Sequence, residues 1–162
     1  MRLGTHVLIV PYRNPVLTAK ILSTLDVLSS GRVILGVGVG WMEEEFLALG
    51  LDTFHERGAV TDEYIRAFKV LWTEDNPSFE GKYISFDDIS FLPKPVQKPH
   101  PPAFMPAMNP KSMERNAREG YGAAMAGGRW TLEREDLGWW KGWHAEWVEA
   151  LARYGRTTKE CP

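Results

Sequence analysis

Apolar residues along this chain alternate between two periods. Val7-Leu8-Ile9-Val10, closed by Pro11, is an unbroken run rich in β-branched residues, which predicts a buried strand within Arg2 to Val10. Past Asn14-Pro15, a start signal with proline in the first helical turn, Val16, Ala19, Ile21, Leu22, Leu25 and Leu28 keep helical spacing until Gly31. Arg32 to Val39 returns to strand character with Val33-Ile34-Leu35 and then meets Gly36, Gly38 and Gly40. Strand, helix, strand makes a βαβ unit, whose strands run parallel. From Arg57 to Trp72, Val60, Tyr64, Ile65, Phe68 and Leu71 resume the helical period. Asp62 and Glu63 stand near the start of this helix, where negative charge suits the helix dipole.

The second half is less regular. Phe79-Glu80-Gly81-Lys82-Tyr83-Ile84-Ser85-Phe86 alternates around a glycine and predicts a surface hairpin, followed by an extended proline-rich connector from Pro93 to Pro102. Ala103 to Met108 predicts a third strand, against which Pro106 argues. Lys111 to Glu119 predicts a short helix stopped by Gly120, and Gly122 to Ala126 a fourth strand. A last helix from Leu132 to Tyr154 sets Leu137, Trp140, Trp147, Leu151 and Tyr154 on one stripe, with Trp143 beside it and Gly155 as its cap. That stripe reads as a packing surface rather than a cofactor stack. Strands alternating with helices give an α/β fold with a parallel sheet, whose functional loops lie at the carboxyl ends of its strands.

Composition narrows the field. With 44% hydrophobic and 25% charged residues the chain suits one folded domain, which excludes disordered and collagen-like classes. A net charge of -2, with basic residues scattered among acids, supplies no footprint for nucleic acid or an anionic membrane. No apolar run approaches the roughly 20 residues of a bilayer span. The residues after Met1 enter a strand pattern without a secretory signal, and Cys161 is the single cysteine, so a cytoplasmic protein without disulfides is expected.

Gly36-x-Gly38-x-Gly40 at a strand end either lets backbone approach a ring or phosphate or makes a tight turn. It is not the dinucleotide fingerprint, because Trp41 stands where the third glycine belongs. Glu43-Glu44-Glu45 reads as a solvated helix start, or as a source of one acid, base or ligand partner. His6, His55, His100 and His144 form no pair at metal-binding spacing, so no metal is expected.

Gly4-Thr5-His6-Val7, Arg13-Asn14-Pro15, Leu25-Asp26-Val27-Leu28-Ser29-Ser30-Gly31-Arg32 and Gly36 to Trp41 together resemble the bacterial luciferase-like family of flavin and deazaflavin oxidoreductases. Glu44-Glu45-Phe46, Ala48-Leu49-Gly50, Arg57-Gly58, Asp62-Glu63, Leu71-Trp72, Phe79-Glu80-Gly81 and Pro95 to Pro99 continue the match in order, to about Ala126. The resemblance implies a partial (β/α)8 TIM barrel of about four parallel strands plus an insertion hairpin. The strands would be the third through sixth of a barrel that needs about 250 residues.

One partial domain over 1–162 is therefore expected, with βα units to 126, a tryptophan-rich helix over 127–156 and a tail over 157–162. The implied cofactor is FMN or the deazaflavin coenzyme F420. His6 and Val7 match a non-prolyl cis bulge backing its ring, and Gly38, Gly40 and Trp41 match the strand end beside the ring. Glu44 matches a cofactor contact, and Ala107, Met108 and Asn109 stand in the phosphate-binding segment. There Pro106 lacks an N–H to donate. The implied function is redox chemistry on a small organic substrate by a fragment of such an enzyme, with pairing into a homodimer. The alternative is a non-catalytic remnant or oligomerisation module.

Overall fold

The first strand that the pattern predicts is interrupted. β1 (Leu3–Gly4) and β2 (Leu8–Ile9) both pair parallel with β3 (Val33–Gly38). Gly4 faces Ile34 and Leu8 faces Val37, so four steps on one strand match three on the other. The first strand thus carries one extra residue, a bulge, which places His6 off the regular ladder. The computed structural model describes residues 1–124 and 137–161, apart from the side chain of Leu137. It has two compact units, Met1–Pro101 and Pro102–Pro162.

In the first unit, α1 (Pro15–Leu28) starts where Asn14 accepts the Leu17 amide at 3.0 Å. Its buried face is Pro15, Thr18, Ala19, Leu22, Ser23 and Asp26, which keeps Ala19 and Leu22 of the expected row but not Val16, Ile21, Leu25 or Leu28. Leu17, Ile21, Leu25 and Leu28 instead form a second row that is 60%, 46%, 47% and 76% exposed. Small residues win the inner face because α3 (Arg57–Thr73) packs there, with the Trp72 indole donating to the Ala19 carbonyl at 3.0 Å. Asp26 wins its place through the proline-rich connector. Its two oxygens accept the Gln97 backbone amide at 3.0 Å and the Gln97 side-chain amide at 2.7 Å, and that side chain also donates to the Val33 carbonyl at 2.8 Å. Leu35, Val37, Val60, Ile65, Phe68, Leu71 and Trp72 form the core.

The hairpin is present as β4 (Phe79–Glu80) and β5 (Ser85–Phe86), antiparallel, with Phe79 opposite Phe86. Its tip is held by Glu63, a residue read from sequence as a dipole complement. That buried carboxylate accepts the backbone amides of Lys82 at 3.0 Å, Tyr83 at 2.6 Å and Ile84 at 3.0 Å. A β-carbon on Gly81 would lie 2.3 Å from Glu63 Oε1, so any other residue there would displace the carboxylate from the turn.

In the second unit, β6 (Ala103–Pro106) pairs parallel with β7 (Gly122–Ala124), and α4 (Pro110–Glu119) connects them. The third strand ends at Pro106 rather than Met108, because Asn109 begins the cap of α4. Gly120 closes α4 at φ 74°. Met125 and Ala126 of the expected fourth strand, and Leu132 to Asp136 of the expected last helix, lie outside the described residues. α5 (Leu137–Arg153) buries Trp147, Ala150 and Leu151 against Met113 and Ala117, with Cys161 in the same cluster and Trp143 beside it. The stripe is therefore turned from the predicted one: Ala150 joins it, and Tyr154 is 39% exposed with its hydroxyl donating to Glu114. Parallel strands linked by helices in each unit make this a partial (β/α)8 barrel fold.

Replacing Asp26 by Ala strips the Gln97 backbone amide of its acceptor and leaves the Gln97 side chain with its bond to Val33 alone. The expected loss is about 1–3 kcal/mol of stability, measured by denaturant unfolding, and a loss near zero would refute the clasp. His100 packs on Trp72 with ring centroids 6.0 Å apart, and burial holds its pKa below the ordinary 6.5. The neutral ring belongs to the folded state. Its contribution is present above pH 6.5 and is lost as the pH falls from there through the lowered folded value. His100→Asn should flatten that part of a melting-temperature profile.

Candidate functional site

The bulge, between β1 and β2, seats against the carboxyl-terminal half of β3. Where the bulge breaks the ladder, the Thr5 hydroxyl donates to the Gly36 carbonyl at 2.9 Å and accepts the Gly36 amide at 3.0 Å. A side chain substitutes for backbone and leaves neither Gly36 group orphaned. A β-carbon on Gly36 would lie 2.0 Å from the Thr5 carbonyl oxygen, and one on Gly38 2.6 Å from Val7 Cγ2. Gly40 has φ 81°, and a β-carbon there would lie 2.8 Å from Phe46. The turn reading of the triple glycine holds at Gly40, and the close neighbours of Gly36 and Gly38 are the chain's own bulge rather than a ligand. The His6–Val7 peptide is cis, at the position where the resemblance places such a bond. His6 and Val7 are both exposed.

Past Gly40 the chain is braced from below. Arg57 donates from Nε to the Gly40 carbonyl at 3.1 Å and from Nη1 to the Phe54 carbonyl at 2.8 Å, with its guanidinium 4.2 Å from the Phe54 ring. Phe46, on the short helix α2 (Glu43–Ala48), meets Tyr12 and Phe54 edge-on at 4.8 and 5.4 Å. The Tyr12 hydroxyl donates to Glu45 at 2.5 Å, and its pKa is pushed up to about 12, first by burial and then by that bond and the carboxylate's charge. Glu43 pairs with His55 at 3.4 Å. Of the three consecutive acids, Glu44 alone has no hydrogen bond or ion pair among the described residues. Trp41 is 76% exposed.

In the second unit the three candidate positions follow β6. Ala107 is buried, its amide donating to the Ala124 carbonyl at 3.1 Å and its carbonyl accepting the Trp143 indole at 2.8 Å. Met108 is partly exposed. Asn109 closes a capping box, accepting the Ser112 amide at 3.0 Å while its own amide donates to Ser112 Oγ at 3.1 Å. Two first-turn amides are thereby committed, and Pro110 has none.

Sequence reasoning brought out His6, Val7, Gly38, Gly40, Trp41 and Glu44; the structure sets Val7 against Gly38 with His6 beside it, and Gly40, Trp41 and Glu44 follow Gly38 along the chain. It missed Thr5, Tyr12, Phe46 and Arg57 as the groups that hold them. Thr5, Phe46 and Arg57 lay within fragments of the family match, whereas Tyr12 carried no signal. Among the described residues no group of His, Cys, Asp and Glu could hold a metal ion, and no helix is long and apolar enough to cross a membrane.

A family model described as luciferase-like monooxygenase matches residues 1–160. Over 93 residues the chain is 43% identical to an FMNH(2)-dependent dimethylsulfone monooxygenase of Pseudomonas putida, covering 56% of this chain and 26% of that one. Over 132 residues it is 35% identical to an F420-dependent glucose-6-phosphate dehydrogenase of Amycolatopsis mediterranei, covering 80% of this chain and 39% of that one. The crystal structure of the monooxygenase RslO1 from Streptomyces bottropensis matches 97% of this chain with a TM-score of 0.81 at 27% identity, and the match covers 46% of that protein. The chain thus spans less than half the length of each.

Gly36→Ala forces a methyl into a carbonyl oxygen, whereas Gly38→Ala forces one into a side chain that can be shortened. Both single variants should lose at least about 1–3 kcal/mol. Adding Val7→Ala should restore most of the loss for Gly38→Ala and none for Gly36→Ala, read by a double-mutant cycle. Equal rescue of both would contradict the described bulge packing.

Proposed function

This chain belongs to the luciferase-like monooxygenase family, and from that premise we propose that it forms part of a flavin- or deazaflavin-dependent oxidoreductase acting on a small organic molecule. One relative is described by its FMNH(2) dependence and another by its F420 dependence, so both cofactor types stay within the proposal. The observation that carries it is the bulge seated on Gly36 and Gly38. It sets the exposed Val7 beside Gly38 at the carboxyl end of β3, beyond which Trp41 is exposed and Glu44 uncommitted along the chain. Ligands of parallel α/β folds bind at such ends.

These residues fit a planar ring. Val7 offers an apolar backing, and His6 stands beside it at the bulge. Gly38 and Gly40 keep the strand end free of side chains of their own. The exposed indole of Trp41 can cover a ring and exclude water, and the Glu44 carboxylate can accept a hydrogen bond from it. When bound, a flavin or deazaflavin supplies the two-electron redox chemistry, and the protein's part is to orient and shield. Ala107, Met108 and Asn109 are proposed as cofactor contacts on the resemblance alone. Their neighbourhood offers few amide donors, because those of Asn109 and Ser112 serve the capping box.

A second reading, that of a non-catalytic association module, is favoured by the exposed α1 row of Leu17, Ile21, Leu25 and Leu28. Under either reading we infer a homodimer. Titration of the purified chain with FMN and with F420, read by cofactor fluorescence alongside the mass in solution, separates the two. Saturable binding weakened about 3- to 10-fold by Trp41→Ala is expected for the oxidoreductase reading, the size of one aromatic contact. A dimer that binds neither cofactor would leave the association module.

A further inference from the structure

We propose that the recess between α4 and the first half of α5 binds a small organic cation with a methylated ammonium head. The recess encloses about 220 Å³, and its walls include Met108, Pro110, Trp139, Gly142, Trp143 and Glu146. Trp139, Gly142, Trp143 and Glu146 follow one another at helical spacing on α5, so one face of that helix presents two indoles, a gap and a carboxylate.

The indoles are held in place before any ligand arrives. The Trp143 nitrogen donates to the Ala107 carbonyl at 2.8 Å, which fixes that ring. Trp140 meets Trp143 edge-on at 6.5 Å and 72°, and meets Trp139 edge-on at 4.9 Å and 81°. Trp139 and Trp143 are nevertheless only half-buried, so part of each ring stays open to the recess. Gly142 is the second observation. Glycine inside a helix costs about 0.5–1 kcal/mol relative to alanine. A β-carbon on Gly142 would meet nothing within 4 Å, so no neighbour among the described residues demands it. Its effect is to keep the floor of the recess empty.

Charge selects the sign of the ligand. Glu146 is the single charged residue among those lining the recess, and it has no hydrogen bond or ion pair among the described residues. At the nearby start of α4 the capping box engages the Asn109 and Ser112 amides and Pro110 has none, which leaves fewer donors for an anion. Indole faces and one carboxylate suit a weakly hydrated cation with apolar substituents. A primary ammonium, strongly hydrated, would need several acceptors that Met108, Pro110 and the indoles do not offer.

The test is calorimetric titration of the full chain, without flavin, by choline and by its neutral isostere 3,3-dimethyl-1-butanol. Met108 and Asn109 line the recess and also figure in the proposed function, so omitting flavin lets failure here be read apart from failure there. Choline should bind saturably, and the neutral isostere at least about tenfold more weakly. Glu146→Gln should weaken choline by a similar factor, and Gly142→Leu, which fills the recess, should abolish binding. Inorganic phosphate should not compete. Absence of saturable choline binding overturns the proposal. So does equal binding of the isostere, or undiminished binding by folded Gly142→Leu. If circular dichroism shows Gly142→Leu unfolded, the isostere and the Glu146→Gln comparison decide.

Discussion

A strand with one residue too many must put it somewhere, and in this protein β3 receives it by having no side chains at the points of contact. Val33, Leu35 and Val37 point one way and fill the core. Ile34, Gly36 and Gly38 point the other way, and the two glycines take the Thr5 carbonyl and the Val7 side chain. The Thr5 hydroxyl then supplies the two hydrogen bonds that the displaced backbone cannot. His6 and Val7 are exposed beside this joint, and Gly40, Trp41 and Glu44 follow it along the chain, so the candidate site takes its position from one close backbone approach.

The fragments that carried the family resemblance prove to be the ends of hydrogen-bonded joints. Asp26 in one fragment holds Gln97 in another, Arg57 holds Gly40, Thr5 holds Gly36, and Glu63 holds the turn just past Gly81. Each joint buries polar groups whose partners lie far away in sequence. A change on one side strands the other, which penalises substitution of either half alone.

The alternation of strands and helices was legible because it is written in apolar periodicity. What escaped was whatever depends on distant partners. The inner face of α1 could not be read from hydrophobicity, since small residues and a buried carboxylate outcompete leucine where a tryptophan and a glutamine arrive from elsewhere. The break in the first strand left no mark in the run Val7 to Val10, because a bulge is a matter of register with β3. The site's glycines were visible, but their neighbours were not. Glycine spacing signals close approach without saying what approaches.

The hold of Glu63 on the hairpin fixes its tip, not its base. At the base Ser78 donates to Asp87, so that end of the hairpin closes on itself while the turn is fastened to α3. The segment from Phe79 to Phe86 is therefore riveted to α3 through its turn.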